Sequence, residues 1–528
     1  MSNNQPDIIV VGAGHNSLVA AAYLARAGAS VLILEKNDIA GGGAVSRELT
    51  IPGFSHDTHA AATILMQGSP VLTHDELELK SKFGLDLIDP PNNEMTVFSD
   101  GDTIVWYRDL DKTCSEIAKF SEKDAEAYRK TVNFVMGVMP VMGMSSARPP
   151  VSFGSFVSLL EKAPFGNELI LAMMKSTYEV ITERFDHPKV RIALLKKSMV
   201  SVCGPEERGT GLNILFMMAS VHAFPLAAIA GGTQKLTEAT IKCIEASGGE
   251  VRLNSKVTRI VNSGGEVRRV ELEDGSVLTA RKAVLASIHP HFLGDIIEGL
   301  EPGLVHRAKS TSSSQLATLM IHAALDEKVK WNVGPIADEC MYVYMIDATE
   351  LQDFRDSYDS VRRGNLPTSF ASGVQLPTVF DPSRAPPGKH VMSSYYCVPF
   401  DLREGGSAHW DELKRGFAER ALDRIAYYAP NLSSANILSY AVESPLDLAR
   451  HSPSFTAGDV SGIGVYIHQM MGMRPTPELA QYRVPGAQGL YLAGPFMHPG
   501  PGISGGGRAV AIRMMEDLKI DTKKVLKI

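Results

Sequence analysis

A stretch near the amino terminus constrains the fold of this chain more than any other. The run from Asp7 to Lys36 reads DIIVVGAGHNSLVAAAYLARAGASVLILEK. Its β-branched opening predicts a strand buried on both faces, and Gly12 and Gly14 follow directly. Apolar and alanine residues then predict a helix over 18–27, and a second buried strand ends at Glu35. The stretch therefore predicts a βαβ unit with its glycines at the turn from strand to helix.

The spacing of these residues suits a bound dinucleotide. Gly12 permits the tight turn, and Gly14 lets the backbone approach a pyrophosphate at the helix start, where free N–H groups and the helix dipole favour negative charge. Ser17 stands where a third glycine is usual and is small enough for the helix to pack on the strand. Glu35, 21 residues after Gly14, can accept both ribose hydroxyls and would repel the 2′-phosphate of NADP.

Two further glycine-rich segments favour FAD over NAD. Gly41, Gly42 and Gly43 follow the second strand, and the segment 489–518 (GLYLAGPFMHPGPGISGGGRAVAIRMMEDL) predicts a strand, a glycine-rich turn and a helix. A second helix start with free backbone amides suits a flavin ring, which gathers negative charge near N1 and O2 when it is reduced. A simple NAD dehydrogenase has no use for such a distant element, so the sequence predicts FAD.

With these motifs the chain resembles the FAD-dependent phytoene desaturase and amine oxidase superfamily. The matching motifs are GAGHNSLVAAAYLARAG, EKNDIAGGGA, PGFSHDTH, GGTQKLTEA, MRPTPELAQYRVP and GLYLAGPFMHPGPGISGGG, which lie at both ends and in the middle of the chain. The nearest likeness is to the branch that includes pyridine nucleotide-disulfide oxidoreductase domain-containing protein 2. Two positions depart from the pattern. Gly43 stands where many members have an arginine that contacts the pyrophosphate, a contact that backbone amides or Arg47 would replace, and His468 stands where the nearest branch often has aspartate.

The resemblance also implies which residues bind the cofactor. It places the backbone at Val257 beside the adenine. The residues expected to contact FAD are Gly12, Gly14, Asn16, Ser17, Glu35, Lys36, Gly42, Gly43, Val257, Gly494, Gly502, Ile503 and Ser504.

The expected fold is α/β, with two domains that alternate along the chain. A Rossmann-like FAD-binding domain of the GR2, or p-hydroxybenzoate hydroxylase-like, type is expected from 1–75, 228–300 and 455–528. A mixed α+β substrate domain is expected from 76–227 and 301–454, helical over 121–218. Further local predictions are a helix over 234–247 capped by Thr233, strands at 250–253, 257–261, 266–272, 277–280, 282–287, 316–325, 390–398 and 490–493, and a surface loop over the proline-rich segment 367–389.

Composition and missing motifs narrow the function. A net charge of −7 without a basic block disfavours nucleic acid as a partner. The five cysteines form no CxxC pair, so neither a disulfide reductase nor a metal site is expected, and there is no second βαβ fingerprint for NAD(P)H. The polar opening MSNNQPD predicts no signal peptide, and polar residues or prolines interrupt the apolar stretches 132–144 and 212–230. We therefore expect a cytoplasmic protein, with shallow peripheral membrane contact as the alternative.

The expected reaction is the oxidation of carbon by a flavin. A hydride leaves a substrate carbon for flavin N5, and in a desaturation the adjacent carbon loses a proton. The electrons then pass to oxygen, a quinone or another protein. Methionines within 136–144 and 217–218 offer an apolar lining for an isoprenoid or a cyclic carbonyl compound. An amine or alcohol oxidase, and a flavin-binding interaction protein without turnover, stay open as alternatives.

Three histidines are the candidates for moving the proton. His59 follows PGF, where the family chain passes close to the isoalloxazine, His468 lies ahead of MRP, and His498 lies in the turn before the last helix. Histidine titrates near neutral pH and can accept a proton from carbon or polarise a carbonyl. For each one the alternative is a histidine hydrogen-bonded to backbone. Arg474 is a candidate anchor for substrate or ring, with a structural ion pair as its alternative.

Overall fold

The computed structural model describes residues 5–163, 165–503 and 505–527. In chain order the strands are β1 (Ile8–Val11), β2 (Val31–Leu34), β3 (Ser46–Arg47), β4 (His56–Asp57), β5 (Leu87–Ile88), β6 (Asn92–Phe98), β7 (Thr103–Trp106), β8 (Ala228–Ile229), β9 (Glu250–Arg252), β10 (Val257–Ser263), β11 (Glu266–Leu272), β12 (Val277–Thr279), β13 (Ala283–Ala286), β14 (Ala317–Leu325), β15 (Cys340–Ile346), β16 (Ala371–Gln375), β17 (His390–Val398), β18 (Ile437–Glu443) and β19 (Leu490–Leu492). The α-helices are α1 (His15–Arg26), α2 (Ile64–Gln67), α3 (Pro70–Thr73), α4 (Leu110–Ala118), α5 (Glu122–Ser146), α6 (Phe153–Glu161), α7 (Gly166–Met174), α8 (Thr177–Arg184), α9 (Pro188–Ser198), α10 (Gly211–Ala223), α11 (Gln234–Ala246), α12 (Leu293–Ile296), α13 (Pro302–Lys309), α14 (Leu351–Arg362), α15 (Trp410–Tyr428), α16 (Pro445–His451) and α17 (Gly506–Asp517).

A parallel sheet carries the amino-terminal motif. Its five strands lie in the order β19-β13-β1-β2-β9 and come from three distant parts of the sequence. The apolar residues of β1 and β2 are buried because helices cover the sheet, with α1 packed against both α11 and α17. The predicted βαβ unit is confirmed. Its helix begins at His15, directly after Gly14, rather than at residue 18.

A mixed sheet of seven strands forms the second half of the molecule. The order is β18-β14-β17-β16-β15-β6-β7, and the β15–β6 pair is parallel while the others are antiparallel. One face packs against α15, and the other faces the helical segment that runs from α4 to α10. The helical region predicted for 121–218 is therefore present and covers this sheet. The domain limits expected from the sequence stay predictions.

Two local predictions were wrong. The proline-rich segment 367–389 is not a continuous surface loop, because its residues Ala371–Gln375 form β16 between β15 and β17. Short polar and small residues hid this strand from the sequence pattern. Thr233 does not cap α11 with its side chain. Its hydroxyl and its backbone N–H both donate to Asp57 Oδ1, at 2.9 and 2.8 Å, so a distant carboxylate holds this helix start.

The remaining local predictions mostly hold. The strands β10, β11 and β12 form the predicted antiparallel meander. All five cysteines are free and buried. Within the described ranges, no helix is both long and apolar enough to cross a membrane.

Candidate active site

The turn between β1 and α1 forms one side of the site. Gly12 has φ +89°, in the left-handed region that suits glycine. A Cβ on Gly14 would meet no atom of the described residues within 4 Å, so this glycine opens onto free space at the helix start. Glu35 is 7% exposed, and its carboxylate accepts the backbone N–H groups of Ala13 at 2.8 Å and Asn37 at 3.0 Å. The carboxylate is thus held in place and keeps lone pairs for ligand hydroxyls.

The triple-glycine loop lies directly on this turn. Gly41 donates its N–H to Ala13 O at 2.8 Å and accepts the N–H of His15 at 3.3 Å. Gly42 has φ +62°, and a Cβ there would come within 3.0 Å of Gly14 Cα. A Cβ at Gly43 would lie 3.2 Å from Phe455 Cζ. An aromatic ring therefore packs beside the position where many relatives carry arginine.

The start of α17 reaches the same place from the other end of the chain. A Cβ at Gly507 would clash with Asn16 O, and one at Gly506 would lie 2.9 Å from Asn16 Oδ1, so only glycines allow this approach. His15 Nε2 also hydrogen-bonds to Gly502 O at 3.3 Å. The first turns of α1 and α17, far apart in sequence, are thus packed together.

The other predicted cofactor residues have varied environments. Gly494 has φ +136°, and Ile503 is 4% exposed in the turn before α17. Val257 begins β10, close behind Ser255, whose N–H donates to Glu35 O at 2.7 Å. Lys36 is exposed at the surface. Ser504 lies outside the described residues.

These groups fit a phosphate-bearing dinucleotide. Asn16 Oδ1 and Ser17 Oγ are buried at the start of α1 and find no hydrogen-bond partner among the described residues. Buried polar atoms normally have partners, so these two indicate a ligand in the open space beside Gly14. When FAD is bound, the α1 turn and Glu35 would hold its nucleotide end, and the amides before α17 would face its ring. The individual contacts stay predictions.

His59 lies between the glycine loop and α16. Ala60 N–H donates to Gly43 O at 3.1 Å, and this bond ties the histidine segment to the loop. The His59 ring makes edge contacts with Phe455 and His451, at centroid distances of 4.9 and 5.9 Å. Neither ring nitrogen makes a hydrogen bond of ordinary geometry in the described part of the chain, although the Thr58 backbone lies close to the ring, and burial lowers the pKa of His59 to about 4. At neutral pH it is therefore an uncharged imidazole that can accept a proton.

A carboxylate and a further imidazole lie behind His59. Glu443 Oε2 is 3.6 Å from Nε2 of His322, which is fully buried. Burial raises the pKa of Glu443, but His322 and His59 hold it below its usual value. The ring of His56 lies 5.5 Å from that of His322. Despite these side chains, no group of three or more ligating residues in the described ranges is arranged to hold a metal ion.

The other two candidate histidines lie elsewhere. His468 is exposed and stacks on Tyr466, with planes 3° apart and centroids 5.5 Å apart. His498 is 4% exposed, its Nε2 donates to Ser145 O at 3.2 Å, and burial lowers its pKa to about 4. His498 thus matches the backbone-bonded alternative. The structure does not bring either ring into contact with His59, and their catalytic roles stay predictions.

Arg474 is a structural residue rather than an anchor. Its guanidinium is fully buried and donates to the backbone carbonyls of Ser461, Ile463, Gly464, Gln469 and Pro495. These bonds tie the segment 461–469 to Pro495, just after β19, and use every guanidinium nitrogen, so no donor is left for a substrate. Of the expected ion pair only an electrostatic attraction to the buried Asp459 is present, and the hydrogen-bond partners of Arg474 are all carbonyls.

The flavin containing amine oxidoreductase family matches residues 18–404. The chain belongs to this family. A pyridine nucleotide-disulfide oxidoreductase domain-containing protein 2 from Mus musculus is 28% identical, over 97% of this chain and 94% of the relative. A limonene dehydrogenase chain from Castellaniella defragrans is 24% identical over 98% and 96%, and a lycopene-forming phytoene desaturase from Pantoea ananas is 25% identical over 96% and 99%.

Solved structures share the fold of this chain. A putrescine oxidase variant superimposes with a TM-score of 0.61 at 14% identity, covering 98% of this chain and 99% of the other. At that identity the likeness shows the α/β fold alone. The superfamily resemblance and FAD as the cofactor are both confirmed, and the protein is a flavin-dependent oxidoreductase by family.

Two polar features of this flavoprotein were not predicted from its sequence. One is a buried ion network at the contact between the halves, in which Arg384 donates to Asp57 at 2.7 Å and to Asp381 at 3.1 Å. The other is a pair of buried lysines, Lys196 and Lys197, in α9. The sequence did contain a signal for the buried lysines, because two adjacent lysines interrupt the largely apolar run IALLKKSMV.

Proposed function

We propose that this flavoprotein is a dehydrogenase that desaturates a largely apolar substrate, with hydride transferred from carbon to N5 of FAD and electrons passed to oxygen, a quinone or another acceptor. The observation that carries the proposal is the state of His59, a neutral imidazole beside the glycine turn that makes no hydrogen bond of ordinary geometry with the described residues. A desaturation needs such a group, because the second carbon must lose a proton. The relatives named limonene dehydrogenase and phytoene desaturase support an apolar substrate.

In this proposal the protein residues hold the substrate and move the proton. His59 accepts the proton at a ring nitrogen, and the negative charge of Glu443 favours the imidazolium that results. The half-buried His451, at 5.9 Å from His59, offers the next step towards solvent. Phe455, packed on His59, helps keep water out of the site.

The proposal includes a finer assignment of the fold. The parallel sheet is taken as a GR2-type FAD domain formed by 1–75, 228–300 and 455–528. The seven-stranded sheet and its covering helices are taken as the substrate domain formed by 76–227 and 301–454. The sheet memberships support this division, because the two sheets share no strand.

The second candidate function is an amine or alcohol oxidase. The rings of Tyr342 and Tyr344 are 5.9 Å apart with planes 12° apart, and aromatic ring faces attract cations such as a substrate ammonium group. A buried cation opposes the amine version, because Lys196 lies against the ring of Tyr344 and would repel an ammonium group. We therefore rank desaturation first.

Anaerobic reduction of the purified holoprotein tests the proposal. Saturated isoprenoids and cyclic carbonyl compounds are expected to bleach the flavin absorbance, and primary amines are not. His59→Gln is expected to slow the bleaching about 100-fold while FAD content stays unchanged. Reoxidation by oxygen or by a quinone then identifies the acceptor.

His390→Gln provides the matched control for this experiment. His390 is also half-buried with a lowered pKa caused by burial, but its Nδ1 is bonded to Thr378 Oγ1 at 3.0 Å. Its substitution is expected to leave the rate of bleaching unchanged. Bleaching by amines alone, or an unchanged rate in His59→Gln, would contradict desaturation with His59 as proton acceptor.

A further inference from the structure

Two adjacent lysines near the end of α9 are buried in different environments. Lys196 is 1% exposed and Lys197 is 2% exposed. Neighbouring helical residues point about 100° apart, so the two ammonium groups enter separate surroundings. Lys197 forms an ion pair with Glu94 and lies 4.7 Å from the ring centroid of Trp106. Its charge therefore has a partner within the fold.

Lys196 has no such partner. Its Nζ makes no hydrogen bond with any described residue and lies 4.8 Å from the ring centroid of Tyr395 and 5.9 Å from that of Tyr344. Burial lowers its pKa. The attraction of two ring faces for a cation is smaller than the cost of removing an ammonium group from water. An anionic group is the missing partner.

The rings around Lys196 are held in place by the sheet. Tyr344 on β15 and Tyr395 on β17 lie on either side of Gly373 on β16. A Cβ at Gly373 would come within 2.6 Å of Tyr395 Cε1 and 2.9 Å of Tyr344 Cε1, so glycine is what lets the two rings close over the strand between them. The buried hydroxyls of Tyr395 and Tyr358 lie near Tyr344 and Cys397, respectively, and neither makes a hydrogen bond of ordinary geometry with a described residue. Tyr395, which contacts the cation, and Tyr358, which lies close to Tyr395, thus offer two donors.

A row of tyrosine rings connects this cluster to the His59 segment. Tyr342 and Tyr344 are two residues apart on β15, so they share a face of the sheet. Their rings are 5.9 Å apart, and that of Tyr395 is 6.5 Å from Tyr344. Tyr342 packs on the small apolar cluster that also includes Ala62, three residues after His59. A ligand held at Lys196 would therefore extend along the rings towards His59.

We propose that Lys196, with the hydroxyls of Tyr395 and Tyr358, binds the carboxylate of an apolar carboxylic acid. The oxidation of this ligand by the flavin rests on the proposed function, but its binding does not require turnover. The substrate of the proposed dehydrogenation is then an isoprenoid or cyclic compound that carries a carboxylate, and not an amine. The two tyrosine hydroxyls donate to the carboxylate oxygens, and the ammonium group neutralises their charge.

Ligand titrations of the oxidised holoprotein test this site. The probes are cyclohexanecarboxylate, cyclohexanecarboxamide and cyclohexylamine, followed by calorimetry and by the flavin absorbance spectrum. The wild type is expected to bind the carboxylate at least tenfold more tightly than the amide or the amine. Lys196→Met is expected to weaken carboxylate binding at least tenfold, and Tyr395→Phe about threefold, with FAD content unchanged. Without ligand, Lys196→Met is expected to melt no lower than the wild type, because it removes an unpaired buried charge.

The neighbouring lysine provides the control. Lys197→Met combined with Glu94→Gln removes the paired charges together and is expected to leave carboxylate affinity within about twofold of the wild type. Equal carboxylate affinity in Lys196→Met and wild type would overturn the proposal, as would amide or amine binding as tight as that of the acid. Failure of the wild type to bind the carboxylate would also overturn it. Carboxylate binding without flavin reduction by any acid would instead leave the site standing and contradict the proposed dehydrogenation.

Discussion

The two halves of the molecule treat buried cations differently. In the half built on the parallel sheet, Arg508 is 4% exposed and bonded to Glu76 at 2.6 and 2.9 Å. At the contact between the halves, Arg384 is 1% exposed and bonded to two carboxylates. Over the seven-stranded sheet, Lys196 is equally buried and faces tyrosine rings instead. The comparison separates charges that hold the fold together from a charge that is kept for a ligand.

The strongest test of this comparison removes a paired cation. Arg384→Met leaves Asp57 and Asp381 buried without their partner, and we expect the free energy of unfolding to fall by about 3–5 kcal/mol. Urea denaturation followed by circular dichroism measures it. Arg363→Met is the control, because that side chain is 65% exposed and its pair with Asp359 contributes at most about 1 kcal/mol. A loss below that of the control would remove the distinction between paired and unpaired buried cations.

A second prediction sharpens the comparison. The half built on the parallel sheet is expected to bind FAD through backbone groups rather than through charged side chains. Gly14→Val places a side chain in the open space at the start of α1, where a Cβ meets no atom within 4 Å in the part of the chain that the structure describes. We expect a folded protein whose affinity for FAD falls about 100-fold, or about 2.7 kcal/mol. Fluorescence titration of the apoprotein with FAD measures the loss.

The same change at Gly137 serves as the control for Gly14→Val. A Cβ on Gly137 would likewise meet no atom within 4 Å among the described residues, but this glycine lies on the exposed surface of α5. Gly137→Val is expected to retain full FAD affinity. If Gly14→Val bound FAD as tightly as Gly137→Val, the cofactor would have to lie away from the α1 turn.

The smallest expected effect concerns the pH dependence of the Arg508 pair. Burial raises the pKa of Glu76, but hydrogen bonds from Arg508 and Tyr23 bring it below the usual 4.5. A lowered folded-state pKa means that the carboxylate stabilises the fold above pH 4.5 and that this stabilisation is lost as pH falls through the lowered value. Glu76→Gln is therefore expected to cost about 2 kcal/mol at neutral pH.

The difference between Glu76→Gln and the wild type is expected to shrink on acidification. Urea denaturation at a series of pH values from neutral down to acid measures it for both proteins. Glu78→Gln is the control, because Glu78 lies two residues away with its side chain 34% exposed. A gap that stayed constant with pH would show that the Glu76 charge does not hold Arg508.

The structure could be predicted from the sequence where a motif is local. The strand, glycine turn and helix at the amino terminus were predicted within three residues, because their apolar periodicity and turn residues lie in one continuous stretch. Predictions from the sequence were wrong where a group distant in the sequence determines the local structure. Thr233 is of a residue type that often caps a helix, but its hydroxyl donates to Asp57 instead. The strand β16 lies in a stretch whose prolines indicate a loop.

In the candidate site, too, the sequence predicted the residues that belong to local motifs but not their partners. His59 was identified from its motif, but only the fold shows that His451, Phe455 and Glu443 surround it. Likewise, Arg474 belongs to a recognisable motif, and only its five carbonyl partners show that it organises a loop. A sequence gives the chemical type of a side chain, whereas its partners and burial come from segments hundreds of residues away.

For this protein the sequence by itself determined the family, the cofactor and the βαβ unit. Phosphate recognition depends on backbone geometry in one short turn, and glycine spacing records that geometry directly. Only the tertiary structure decided which buried charges are paired. Lys196 and Lys197 are neighbours of the same type, and they differ because adjacent positions on a helix face different parts of the fold, one towards Glu94 and the other towards tyrosines on two strands of a sheet.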